Sequence, residues 1–155
     1  TVLFYFVLMW IGASPASTGG GIKTTTFALS VMNIRSLAKG KDRIEIFGRE
    51  ISNESVRRAF AVIFLSFMVI GCAVLMLMIT DGSFGLKRII FEVISAFGTV
   101  GLTLGVTPGL SVAGKWILII TMFIGRVGTL TLVVSIFRKI RSLHYHYPTE
   151  SILIN

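Results

Sequence analysis

The stretch "LKRIIFEVISAFGTVGLTLGVTPGLS", residues 86–111, is too apolar for a solvated loop and too short for a hairpin across a whole bilayer. It divides in two. Leu86, Ile89, Ile90, Val93, Ile94 and Phe97 recur at helical spacing and predict a short amphipathic helix over 86–97. From residue 98 the helical character is lost. Glycines stand at 98, 101 and 105, with β-branched Thr99, Val100 and Thr103 between them.

The flanks fix the medium. Phe60–Thr80 is a run of twenty-one residues without a charge, and 114–137 is interrupted only by Lys115 and Arg126. Each is long enough for a hydrocarbon core of about 30 Å. The whole chain is 54% hydrophobic and 14% charged, with mean hydropathy +0.85, against about 25% charged in ordinary soluble domains. Two membrane helices of opposite direction leave both ends of 86–111 on the outer side. A short helix going in and a non-helical strand coming out then make a re-entrant pore loop. Irregular backbone at membrane depth is tolerated only where protein buries it or water reaches it. The plainer alternative is an outer loop with a buried phenylalanine.

The net charge of +8 reports topology. Seven basic residues lie at Arg35, Lys39, Lys41, Arg43, Arg49, Arg57 and Arg58, and three more at Arg138, Lys139 and Arg141. Only Lys87, Arg88 and Lys115 fall between the two apolar runs. This bias predicts that the 35–55 connector and the C-terminus are cytoplasmic. Asp42, Glu45, Glu50 and Glu54 interleave the first basic group, which argues against a phosphate-tracking surface, so no nucleic-acid partner is expected. Within the connector, "RIEIFGREI" (43–51) reads as a short amphipathic helix.

A second irregular stretch, "IGASPASTGGGIKTTTF" (11–27), follows nine apolar residues, 2–10. Gly19, Gly20 and Gly21 allow the backbone to rearrange at low steric cost. Ser14, Ser17, Thr18 and Thr24 can satisfy groups that a broken helix leaves behind. Lys23 adds a positive charge. A nucleotide-binding P-loop needs glycine immediately before the lysine, and Ile22 stands there. A glycine-softened kink between packed helices explains the glycines but gives the polar run and Lys23 no purpose.

Two charges fall at membrane depth. Arg126 lies near the middle of the last apolar run, where a cation costs on the order of 3 kcal/mol, and so marks a functional position. Glu92, in the 86–97 helix, is read as bracing the backbone behind "GTVG", with a partner for Arg126 or an exposed rim carboxylate as the alternatives. His144 and His146 lack the ligand partners of a metal centre, so no metal site is expected. Cys72 reads as a small packing residue. No nucleophile has a base at plausible spacing, and no enzyme is expected.

"Thr99-Val100-Gly101" resembles the potassium-channel filter, in which backbone carbonyls replace an ion's hydration shell. "FEVISAFGTVGLT" (91–103) together with "GASPASTGGGIKTTTF" (12–27) resembles the Ktr/Trk/HKT superfamily of cation-uptake proteins, closest to KtrB-type membrane subunits. The resemblance covers essentially the whole chain. It implies an all-α integral membrane fold of helix–pore-loop–helix repeats in the bacterial plasma membrane. Residues 1–34 would be the second helix of the third repeat, broken by an intramembrane loop at about 12–25. The connector 35–55 would be cytoplasmic. Residues 56–137 would be the fourth repeat, with helix 56–80, pore helix 86–97, filter 98–103 and helix 113–137, followed by a cytoplasmic tail, 138–155.

The same resemblance assigns roles. Gly98, Thr99, Val100, Gly101 and Leu102 would be the K+ filter. Ser17, Thr18, Gly19, Gly20, Gly21 and Lys23 would form a gate loop below it. Arg126 would be the gate's partner in the last helix, and Glu92 the filter's support. The transported ion would be K+, with Na+ as a second candidate and no organic cofactor. Implied partners are the lipid bilayer, a second copy joined through the C-terminal tail as a homodimer, and a cytoplasmic nucleotide-binding regulatory ring of the KtrA type. Because the first residue is not Met, the chain is expected to be the end of a longer one. A membrane protein whose re-entrant loop serves only packing or assembly is the competing function class.

Overall fold

The computed structural model describes residues 2–15, 17–40, 44–46, 49–129 and 131. It is mostly helical. Helix α1 (Val2–Trp10) and helix α2 (Thr24–Ala38) are separated by the glycine stretch. Two two-residue strands follow, β1 (Glu45–Ile46) and β2 (Arg49–Glu50), and then helices α3 (Asn53–Asp81), α4 (Leu86–Gly98) and α5 (Val112–Val127). Short 3-10 turns at Gly82–Phe84 and Thr107–Gly109 mark the two ends of the segment that carries α4.

Helix α3 has 29 residues, a rise of roughly 43 Å. It begins under an N-cap, Ser52, whose side chain accepts from the Ser55 N–H. Asn53–Phe84 is long and apolar enough to cross a membrane, and only 17% of its most apolar window is buried within the chain. Its outward face, including Phe64, Phe67, Leu75 and Ile79, is therefore left for lipid or for other protein. Cys72 sits on this exposed surface rather than inside the packing.

Helix α4 is the centre of the fold. Every residue from Phe91 to Gly98 is buried, on all sides and not along a stripe. Helices α1, α3 and α5 all pack on it, and Phe6 meets Phe91 at a ring separation of 5.9 Å. The stripe expected from the apolar spacing is thus only part of the buried surface. Small Ser95, Ala96 and Gly98 fill the sides the spacing left unassigned.

Three other expectations are corrected. The segment 43–51 is not an amphipathic helix among its described residues. Glu45 pairs with Glu50 and Ile46 with Arg49 in antiparallel register, and the Ile51 N–H donates to the Ile44 carbonyl. Ile44 and Ile46 flank Glu45 at period two, which suits a strand. The last helix is not continuous over 113–137 either. Helix α5 ends at Val127, because Gly128 takes φ 93 and breaks the hydrogen-bond ladder. Thr129 and Thr131 are again helical, and 132–155 lie outside the described residues, as do the expected tail contacts. Helix α2 also continues to Ala38, past the expected start of the connector.

Candidate functional site: a glycine loop seated on the end of a buried helix

The site is assembled where the glycine stretch meets the C-terminal end of α4. Beyond Trp10 the chain leaves the helix and returns on itself. The Gly12 N–H donates to the Ile22 carbonyl at 2.7 Å, and the Ile22 N–H donates to the Trp10 carbonyl at 3.2 Å. These bonds close the neck of a loop spanning 12–21. Inside it, Ser17 N–H donates to the Ser14 carbonyl and Gly19 N–H to Ser17 Oγ. Ser17 and Thr18 are exposed, Gly19 is half-buried and Gly20 is buried. Lys23 is exposed and sits at the N-cap position of α2 without a side-chain cap bond.

The loop is held from both sides. The Gly20 N–H donates to Thr99 Oγ1 at 2.8 Å, linking residues 79 apart in sequence. The Gly21 N–H donates to the Gly125 carbonyl of α5 at 3.3 Å. Helix α5 comes this close because residue 125 is glycine. A Cβ there would overlap the Phe97 carbonyl. A Cβ at Gly20 would sit 2.8 Å from Thr99 Cγ2 and 3.0 Å from the Phe97 carbonyl oxygen. Backbone therefore rests directly on backbone at the base of the 98–102 segment.

Gly98 is buried as the last residue of α4, and Thr99 is its C-cap with φ 54 and ψ 37. Thr99 is the sole non-glycine residue at positive φ among the described residues. For a β-branched residue this left-handed conformation is costly, and the surroundings must impose it. The Thr99 N–H donates to the Ala96 carbonyl and the Val100 N–H to the Ser95 carbonyl, which secures the turn. Gly101 is also at positive φ, 81, whereas Val100 between them is not. Val100, Gly101 and Leu102 are exposed. Thr99, Gly101 and Leu102 line a cavity of about 310 Å³ with Glu92 and Leu118.

Two assigned partners act differently from expectation. Glu92 is buried, but its carboxylate does not bond the backbone behind "GTVG". Its Oε1 accepts from the hydroxyls of Thr103 and Thr107, the latter at 3.1 Å. The carboxylate points down the chain because 103 and 107 supply hydroxyls one turn apart, themselves joined at 3.0 Å. Arg126 is exposed and forms no hydrogen bond or ion pair among the described residues. Instead of an arginine donating to loop carbonyls, the loop donates to the carbonyl of its neighbour, Gly125. The reason is directional: the small face of α5 at Gly125 meets the loop, and Arg126 projects from the next position around the helix.

Sequence reasoning also missed Asp81. At the end of α3 its carboxylate accepts from Ser111 N–H, Ser111 Oγ and Thr80 Oγ1. The available signal was a lone acid ending an apolar run, paired with a serine opening the next helix. No group of three or more His, Cys, Asp or Glu side chains that could hold a metal occurs among the described residues.

The family model described as TrkH, cation transport protein, matches residues 1–144. The chain belongs to the TrkH family of cation transport proteins. It is 44% identical over 154 residues, 99% of its length, to the "Ktr system potassium uptake protein D" of Bacillus subtilis. It is 43% identical over 152 residues, 95% of its length, to the "Potassium/sodium uptake protein NtpJ" of Enterococcus hirae. To the "Ktr system potassium uptake protein B" of Vibrio alginolyticus it is 40% identical over 152 residues, 98% of its length. The matches cover 34%, 34% and 33% of those proteins, so the chain spans about a third of their length. Membership of TrkH makes this an all-α membrane protein of a cation transport family, not of an enzyme family.

Proposed function

We propose that the protein carrying this chain is a pore-forming subunit of a bacterial potassium uptake system, with K+ passing along the carbonyls of Gly98–Leu102. The observation that carries the reading is helix α4. It is short, buried on all sides from Phe91 to Gly98, and delivers its C-terminal end into a non-helical stretch between two further helices. A helix C-terminus is the negative end of the macrodipole and favours a cation beyond it. Exposed, non-helical backbone at 100–102 then replaces water around the ion. Three relatives are named for potassium uptake, one of them for sodium as well, so Na+ is the second candidate ion.

The glycine loop with Ser17, Thr18, Gly19, Gly20, Gly21 and Lys23 is the gate. It lies against Phe97 and Thr99 and would obstruct anything leaving the base of the filter. Lys23 and Arg126 add positive charge near that exit and repel cations through space. Glu92 supports the filter through Thr103 and Thr107. The 35–55 connector and the C-terminal tail face the cytoplasm of a plasma-membrane protein. There they offer contacts to a nucleotide-binding regulatory ring and, through the tail, to a second copy.

The test is K+ uptake by the full-length protein in a bacterium lacking its own uptake systems. Expression should restore growth at low K+ and saturable uptake. Normal membrane insertion with no uptake of K+ or Na+ would leave only a packing role for the loop.

A further inference from the structure

We infer that Thr99 latches the loop shut: the hydrogen bond from the Gly20 N–H to Thr99 Oγ1 belongs to the closed arrangement, and conduction requires breaking it. This rests on the gate reading and goes beyond it by naming the contact that sets the closed state. Three observations converge on this contact. Gly20 is buried, so its N–H must find a partner within the protein, and it finds Thr99 Oγ1 at 2.8 Å. Thr99 is held in the left-handed region, φ 54, which fixes where its side chain can point. The approach is tight enough that a Cβ at residue 20 would meet both Thr99 Cγ2, at 2.8 Å, and Thr99 Oγ1, at 2.9 Å.

The bond suits a latch because it is single, neutral and made to a side chain. The loop's other tie to the core, from the Gly21 N–H to the Gly125 carbonyl, is longer at 3.3 Å. A dehydrated cation arriving at the base of the filter would face the positive end of the Gly20 N–H dipole and compete for the same hydroxyl oxygen. Ion arrival and loop seating therefore oppose each other at Thr99. The threonine acts on the gate as a positioning residue, apart from whatever its own carbonyl does for the ion.

Two variants in the full-length protein test the latch from opposite sides. Thr99→Val keeps the shape of the side chain and removes the acceptor. Gly20→Ala leaves the filter sequence untouched and pushes the loop off Thr99. Both should raise the maximal rate of K+ uptake several-fold, and Gly20→Ala, which lies outside the filter, should do so with the half-saturation concentration for K+ unchanged. Thr99→Ser, which keeps the acceptor, should bring the rate back toward that of the unaltered protein. If Thr99→Val fails to reach the membrane, Gly20→Ala decides. No rise in maximal rate for either inserted variant overturns the latch, and so does a Thr99→Ser protein as fast as Thr99→Val. Deleting Gly19–Gly21 separates this from the gate reading. If only the deletion raises the rate, the latch falls and the gate stands; if it raises nothing either, both fall.

Discussion

Asp81 and Ser111 are joined by two hydrogen bonds of 2.8 Å, from the serine N–H to Oδ1 and from its hydroxyl to Oδ2. Ser111 in turn caps α5 by accepting from the Gly114 N–H. One carboxylate at the end of α3 thus fixes where the chain re-enters helix after the α4 segment. Gly114 lies so close beneath that a Cβ there would overlap Asp81 Oδ2. Asp81→Ala should lower the unfolding temperature, because it removes the charged acceptor of the Ser111 and Thr80 bonds. Asp81→Asn, which keeps one acceptor oxygen, should lose less. Thermal unfolding of the full-length protein in detergent checks both, and equal losses would mean that the charge and bond count are irrelevant.

Gly125→Ala places a methyl group on the Phe97 carbonyl. Overpacking of this kind typically costs about 1–3 kcal/mol. It should also separate α5 from the loop, which on the gate reading raises K+ uptake by the protein that inserts. Gly71 provides the control, since nothing lies within 4 Å of a Cβ there. Gly71→Ala in the middle of α3 should be neutral or stabilising by about 0.5–1 kcal/mol. Unfolding midpoints that rank the two variants the other way would contradict the packing described here.

Glu92 is buried and takes hydroxyls from Thr103 and Thr107. Thr107→Val removes the hydroxyl's contacts with Glu92 and Thr103 and should cost about 1 kcal/mol, because Glu92 keeps Thr103 as a partner. Glu92→Ala strips both threonines of their shared acceptor and should cost more, with a weaker apparent affinity for K+. Uptake against K+ concentration, alongside melting, checks the pair. An unchanged half-saturation concentration in Glu92→Ala would remove Glu92 from filter support.

Among the described residues Arg126 makes no bond to the loop, so its proposed action is by charge. A lysine keeps the charge but lacks the arginine fork. Arg126→Lys should therefore stay close to the unaltered protein, whereas Arg126→Gln should raise basal uptake. If lysine behaves like glutamine, the guanidinium geometry is what counts, and the loop must reach it in another arrangement.

The membrane class and helical fold were legible because bilayer thickness imposes long uncharged runs, such as Phe60–Thr80. Gly98 marks the end of α4 for a similarly local reason. The full burial of Phe91–Gly98 was not legible. A stripe records one packing face, and small residues do not announce a second. The strand pair at 44–51 was misread because isoleucine and charge alternate over too few residues to separate period two from 3.6. The contacts of Gly20 with Thr99 and of Asp81 with Ser111 join residues 79 and 30 apart. Only the fold brings such pairs together. Arg126 drew attention as a charge in an apolar run, yet the bond to the loop fell to the glycine before it, which carries no chemical signal of its own.

Gly101 offers the most direct measurement of the central claim, that K+ passes along the backbone of residues 98–102. Its φ of 81 is a conformation that a side chain resists at a cost of roughly 1–2 kcal/mol. Nothing lies within 4 Å of a Cβ there, so substitution perturbs backbone angles rather than packing. Gly101→Ser in the full-length protein should insert normally. Competition of Na+ against K+ uptake should then show discrimination reduced by a factor of about 5–30, the equivalent of that free energy. Unchanged discrimination, with the variant present in the membrane at normal amounts, would contradict a filter at these residues.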